Sequence, residues 1–265
     1  MKNTEIREAV TLVNEGEKIF GILHRPLKKQ KVPAVLICSG FAGNKCGKSR
    51  LFVRLAQELV KQGIAVFRFD YRGAGDSEGE FQDITIEGKL SDTLTCLDFL
   101  TRDLQIDPTR IGLLGRSLGG VISILAANRY KTIKSLVLWA PVYNSSHWQN
   151  LWKAFQANKL DKKQKIEIQS LPAGVPNLQF LRQFFQLDME KELMSLEKIP
   201  LLHIEADRDS IVKGEHGKAY RSIRQQSDNT HFIQLENSDH DFSDFNDQII
   251  AVRETCQWYK QTLFS

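Results

Sequence analysis

The chain predicts an α/β fold: a mostly parallel, doubly wound sheet with an antiparallel hairpin at its N-terminal edge and an inserted helical cap. Three observations predict it. From residue 34 onward, short continuous apolar runs alternate with helical patterns, and such runs belong to strands covered on both faces. Before them, residues 8–13 and 18–24 alternate apolar and polar side chains around Asn14-Glu15-Gly16-Glu17, as a half-exposed hairpin does. Between Pro141 and Pro200 the rhythm stops, with no convincing strand.

The elements follow in order. Ala34-Val35-Leu36-Ile37-Cys38 is the first parallel strand, and its loop, Ser39-Gly40-Phe41-Ala42-Gly43, leads towards a helix over 49–61. Ala65-Val66-Phe67-Arg68-Phe69 is the second, followed by a glycine-rich loop and a helix over 85–102. Ile111-Gly112-Leu113-Leu114 is the third and feeds Gly115-Arg116-Ser117-Leu118-Gly119, after which 118–130 reads as helix. Leu136-Val137-Leu138-Trp139 precedes the insertion, residues 142–198, which holds Trp148, Trp152, Phe155, Phe180, Phe184 and Phe185. An interval that long inside a compact domain is usually functional, often a lid; the plainer reading is a helical decoration with its own aromatic core. Leu201-Leu202-His203-Ile204, a helix over 215–226, a strand over 231–235 and a helix over 247–263 complete the winding.

Composition narrows the function classes. At 265 residues the chain fits a single domain with the cap inside it. Its 36 basic and 32 acidic residues give a net charge of +4 with no basic stripe, which excludes nucleic acid as a partner. No run reaches the ~18 apolar residues of a membrane span. Residues 1–8 are charged, unlike a secretory leader. Cys38, Cys46, Cys96 and Cys256 are widely spaced without a C-x-x-C pair, as expected of reduced thiols in a cytoplasmic protein and not of disulfides or a metal site.

Gly115-Arg116-Ser117-Leu118-Gly119 carries the chemistry. In a G-x-S-x-G turn between strand and helix, the serine hydroxyl stands above the sheet, and the helix aims its first N–H groups at charge developing beside it. A serine hydroxyl needs a base within hydrogen-bond reach, and the base needs an orienting carboxylate. In a parallel sheet such groups gather at the carboxyl ends of the strands. That criterion filters the histidines. His24, His203 and His231 lie on or at the start of strands and read as structural, His216 opens a helix, and His147 lies in the insertion. His240 follows the last strand after Glu236-Asn237-Ser238-Asp239 and is the candidate base. Asp207 and Asp209 both leave the strand that starts at Leu201, and either fits the acid. The oxyanion hole needs two backbone N–H groups, expected from Leu118 and Phe41. His147, Trp148 and Trp152 are candidate substrate contacts.

A rival motif overlaps one of these loops. Ala42-Gly43-Asn44-Lys45-Cys46-Gly47-Lys48-Ser49 mimics a phosphate-binding P-loop, with Asp70 as an apparent Mg²⁺ ligand. Ala42 stands where that motif requires glycine, and Arg68 interrupts the strand before Asp70. The nucleotide-binding reading is therefore a remote alternative.

Together these pieces resemble the α/β-hydrolase superfamily, over about residues 17–263. The run Asp70-Tyr71-Arg72-Gly73-Ala74-Gly75-Asp76-Ser77-Glu78-Gly79 is similar to the family's D-x-R-G-x-G-x-S-x-G loop. Asp209-Ser210-Ile211-Val212 is similar to its D-x-x-V segment, which implies Asp209 as the acid. Asp239-His240-Asp241-Phe242 is similar to its D-H-x-F segment. The chain looks most like small carboxylesterases related to bacterial cinnamoyl and feruloyl esterases and to the serine-aminopeptidase-like group, which carry an insertion after the sixth strand. One departure is Ser39-Gly40 where the family has His-Gly. The expectation is a serine esterase without metal or organic cofactor, a monomer or homodimer, and the aromatic insertion suggests small to medium acyl or aryl esters as its substrate. Thioesters and amides are the alternative substrates for the same triad.

Overall fold

A computed structural model describes residues 5–28, 30–169, 177–225 and 227–265. Strands β1 (Glu5–Asn14) and β2 (Glu17–Pro26) form the hairpin, paired from Glu5 opposite Pro26 to Asn14 opposite Glu17. Its two turn residues, Glu15 and Gly16, have φ of 51° and 88°, the left-handed pair that matches the twist of adjoining strands. β2 then pairs antiparallel with the fourth strand, which joins the hairpin to the main sheet.

The parallel part comprises β3 (Val32–Cys38), β4 (Ala65–Phe69), β5 (Ile106–Arg116), β6 (Ile133–Trp139), β7 (Leu201–Ala206) and β8 (Thr230–Leu235). The eight strands lie in the order β1-β2-β4-β3-β5-β6-β7-β8. Each predicted run is a strand, but β5 starts five residues early: Ile106 pairs with Val32 beyond a register shift. The intervening Asp107-Pro108-Thr109-Arg110 is polar, so hydropathy alone misses it.

Helix α1 (Leu51–Lys61) follows a 3-10 turn at Lys48–Arg50, and α2 (Ile86–Arg102) starts where the Thr85 hydroxyl accepts from Gly88 N–H at 2.8 Å. The expected start at residue 49 is corrected, because Ser49 and Arg50 take φ of 50° and 61° and cannot be helical there. α3 (Leu118–Arg129) follows β5. The insertion carries α4 (Ser146–Gln156), α5 (Lys162–Gln169), α6 (Leu178–Phe185) and α7 (Met189–Met194). α8 (Gly214–Arg224) and α9 (Phe245–Thr262) end the chain. Residues 170–176 of the expected cap and Gln226 of the expected helix over 215–226 lie outside the described residues.

Alternation along each strand divides the core in two. Val35 and Ile37 face one layer with α1 and α9; Ala34, Leu36 and Cys38 face the other, with α2 and α3. The insertion splits in the same sense. Phe180, Leu181 and Phe184 of α6 and Met189 and Leu193 of α7 are buried in the α2–α3 layer, whereas α5 buries no residue. Asn177 bolts α6 down: its carbonyl accepts from Phe180 N–H at 2.8 Å, and its amide donates to the Gln82 and Ile84 carbonyls at 2.6 and 2.8 Å. The cap aromatics on α6 thus belong to the main core, not to one of their own.

Candidate active site

β5 ends at Arg116 and α3 begins at Leu118, so Ser117 alone makes the turn, at φ 55° and ψ −122°. A non-glycine residue pays for that conformation and keeps it only where its surroundings over-determine it. Here Ser117 N–H donates to the Trp139 carbonyl at 2.9 Å, while its own carbonyl accepts from Gly120 and Val142 at 3.0 and 3.3 Å. The flanking glycines are needed for close approach. A Cβ at Gly119 would run into the Cys38 and Ser39 carbonyls, and one at Gly115 into the Gly119 backbone.

His240 lies on the loop after β8, and its Nδ1 is 2.7 Å from Asp209 Oδ2 on the loop after β7. The other Asp209 oxygen accepts from the Ile211 and Val212 amides at 2.9 and 2.7 Å. A carboxylate so held accepts the Nδ1 proton, which leaves Nε2 as the basic nitrogen. Asp207 turns elsewhere and accepts from Ser238 N–H at 3.1 Å. Ser117 and His240 are both about 8–9% exposed. Among the described residues Ser117 Oγ makes no hydrogen bond, so the His240–Asp209 half of the constellation is bonded and the serine half is open. Catalytic hydrogen bonds are often long before substrate binds.

Gly40 brings the loop after β3 against the serine: a Cβ there would lie 3.3 Å from Ser117 Cβ and 3.8 Å from its Oγ. Ser39, in place of the expected histidine, ties the loop by donating from Oγ to the Gly43 carbonyl at 3.2 Å. Among the described residues, neither Phe41 N–H nor Leu118 N–H donates to an acceptor. The Phe41 ring begins a ladder into the cap: Phe41–Phe180 at 5.2 Å, Phe180–Phe184 at 5.8 Å and Phe184–Trp148 at 5.5 Å, with Phe81 on its other side at 5.1 Å. Of the three candidate substrate contacts, the ladder includes Trp148. His147 Nε2 instead meets Glu167 at 2.7 Å, and Trp152 stacks on Phe155 at 5.3 Å.

Three of the remaining histidines, His24, His203 and His216, are buried and held by their neighbours, whereas His231 is exposed at the start of β8. His24 lies between Glu5, at 2.5 Å, and Arg68, at 2.8 Å, and burial, with help from the Arg68 cation, pushes its imidazole down to about 4. His203 sits between the Tyr220 and Phe232 rings at 4.9 and 5.3 Å with neither nitrogen bonded, and burial pushes it down to about 3. His216 has a use that sequence reasoning missed. Its Nδ1 accepts from Tyr143 N–H at 3.0 Å, and its ring lies 5.9 Å from Trp148, anchoring the start of the insertion. Only the backbone amides after β6 reveal this, and no local pattern marks them.

The P-loop reading loses its lysines. Lys45 donates to the buried Asp70 carboxylate from both its amide, at 2.6 Å, and its Nζ, at 2.5 Å, and Lys48 pairs with Asp241 at 2.6 Å. Asp70 also accepts from Asp76 N–H at 3.0 Å, so it organises its own loop. No helix among the described residues is long and apolar enough to cross a membrane.

The comparisons agree with this architecture. The family model described as serine aminopeptidase, S33, matches residues 29–173. A 31.7 kDa Escherichia coli protein encoded in the traX–finO intergenic region is 25% identical over 88% of this chain and 92% of its own length. A thiohydrolase of Aspergillus aculeatus is 31% identical over 52% of this chain and 42% of its own. In structure, a Butyrivibrio proteoclasticus protein solved with ferulic acid bound superposes with a TM-score of 0.78 at 20% identity, over 97% of this chain and all of that one.

Proposed function

This chain belongs to the serine aminopeptidase, S33, family of α/β-hydrolases, and from that premise we propose that it cleaves carboxylic esters through an acyl-enzyme on Ser117. The observation that carries the proposal is the strained serine turn facing the loop of a buried imidazole already bonded to Asp209. Strain of this kind persists where a function uses it.

Ser117 Oγ attacks the acyl carbonyl while His240 Nε2 takes its proton. Asp209 keeps the proton on Nδ1 and stabilises the imidazolium. The Phe41 and Leu118 amides hold the oxyanion, a task in which one lost donor costs about 100- to 1000-fold in rate. His240 then protonates the leaving alkoxide. Water, deprotonated by the same nitrogen, attacks the acyl-enzyme and releases the acid. The aromatic ladder from Phe41 to Trp148 supports an apolar acyl or aryl group as the bound portion, with residues 142–198 serving as its lid and Trp148, His147 and Trp152 as substrate contacts.

A thioester is the second reading, supported by the likeness to the Aspergillus thiohydrolase over half the chain. The test is turnover of p-nitrophenyl esters of graded chain length, aryl esters and acyl thioesters by the wild type, Ser117→Ala and His240→Ala, with fluorophosphonate labelling of the serine. Both variants should lose essentially all turnover and labelling with folding intact, Ser117→Ala by removing the reactive atom and His240→Ala by removing the base that activates it. Retained turnover in either refutes the assignment, and a thioester preference moves it to the second reading.

A further inference from the structure

Three charged residues that the mechanism does not use lie close in sequence to parts of the site that it does. Arg116 immediately precedes Ser117, Asp241 immediately follows His240, and Lys48 ends the segment that starts at the candidate oxyanion loop. In the structure they form one network. Arg116 Nη2 donates to the His240 carbonyl at 2.8 Å and also to Asp241 Oδ1. Lys48 Nζ donates to Asp241 Oδ2 at 2.6 Å and to Ser243 Oγ at 3.4 Å. The Asp241 carboxylate therefore bridges the serine turn and the segment before α1. Its partial burial works against ionisation, but the Lys48 hydrogen bond and the Arg116 cation outweigh it and hold the carboxyl below its usual range.

The neighbourhood needs such a brace. The turn 239–243 closes tightly: the Asp239 carboxylate accepts from Asp241 and Ser243 amides at 3.0 and 2.9 Å, and Phe242 takes φ of 51°. Phe242 is fully buried against Trp139 at 5.9 Å, and Trp139 is the residue whose carbonyl receives Ser117 N–H. Packing thus fixes the distal side of the histidine loop, and Asp209 fixes the imidazole. The His240 backbone itself is held to the serine turn by Arg116.

We propose that Arg116, through Asp241 and the His240 carbonyl, is a positioning residue that sets the approach of the imidazole to Ser117, with Lys48 as the outer arm of the same clamp. The proposal rests on the serine-hydrolase reading above. A misplacement of about 1 Å away from the chemistry can cost roughly 100-fold, and the clamp spans the one contact that the resting site leaves open. Arg116 touches no substrate in this scheme, so its loss acts on kcat and not on binding.

The test compares Arg116→Gln, Arg116→Lys, Asp241→Asn, Lys48→Gln and the double variant Arg116→Gln/Asp241→Asn with wild type and Ser117→Ala, on a p-nitrophenyl ester. Arg116→Gln and Asp241→Asn are expected to lower kcat by about 10- to 100-fold with KM within about twofold. The double variant should lose about as much as either single one, because the partners act as a unit. Arg116→Lys, which keeps the charge and one donor, should recover most of the rate, and Lys48→Gln should lose only a few-fold. Circular dichroism and the unfolding midpoint separate positioning from misfolding. If Arg116→Gln does not fold, Asp241→Asn and Lys48→Gln decide the matter on their own. Full kcat in folded Asp241→Asn, or additive losses in the double variant, overturns the clamp while leaving the mechanism intact. Turnover retained in Ser117→Ala overturns the mechanism itself.

Discussion

Among single residues, the choice between two carboxylates shows what geometry adds to a motif. Asp207 and Asp209 leave the same strand two positions apart, and both were compatible with chain order. In space, Asp209 Oδ2 meets His240 at 2.7 Å with two amides on its other oxygen, and Asp207 instead supports the Ser238 amide. Replacing an orienting aspartate by asparagine in such a triad costs on the order of 10⁴-fold, largely through the wrong tautomer. Asp209→Asn should therefore lose roughly 10³- to 10⁴-fold in kcat, and Asp207→Asn about tenfold or less. Steady-state kinetics on the two variants checks this, and equal modest losses would remove Asp209 from the role.

The element that departs furthest from a simple reading is α6. Its aromatics were legible as a cluster, read as part of a lid or as a helical decoration with a small core of its own, and neither reading put them in the main core. Phe180 is almost fully buried, in contact with both Phe41 and Phe184, so α6 is part of the α2–α3 layer and touches the loop after β3. Truncating a buried phenylalanine to alanine costs about 3–5 kcal/mol. Phe180→Ala should lower the urea midpoint accordingly and, with the Phe41 ring unsupported, raise KM for aryl esters more than for acetyl esters. An unchanged midpoint would show that α6 detaches freely in solution. α5, with no buried residue, carries no comparable expectation.

For the molecule as a whole, buried imidazoles couple folding to pH. Those of His24 and His203 are pushed down to about 4 and about 3, in both cases chiefly by burial. The unfolded chain binds protons from about pH 6.5 downward that the folded chain refuses, so stability contributed at neutral pH is lost as pH falls through that window. Each group adds a slope of up to about 1.4 kcal/mol per pH unit. The unfolding free energy should drop between about pH 6.5 and 4, and His203→Phe, which fits between two aromatic rings and removes two unbonded nitrogens, should flatten that drop without loss at pH 7. Denaturant titrations at several pH values read it directly, and an unchanged slope in His203→Phe would assign the effect elsewhere.

At this scale too the division between chain and fold becomes clear. Periodicity sufficed for the strands and their order of appearance, because burial on both faces of a parallel sheet demands continuous apolar runs and a helix between each pair. Gly115-Arg116-Ser117-Leu118-Gly119 marked the serine turn for a similar reason: close backbone approach forbids a Cβ at two of its positions, and that prohibition is written in residue types. The polar start of β5, the 3-10 turn before α1, the docking of α6, the duty of His216 and the Arg116–Asp241–Lys48 network were not legible. Each depends on groups far apart along the chain whose partners are backbone carbonyls, amides or common charges, and these carry no pattern of their own. Local spacing records what one segment requires of itself; what segments require of one another appears only once the sheet has brought them together.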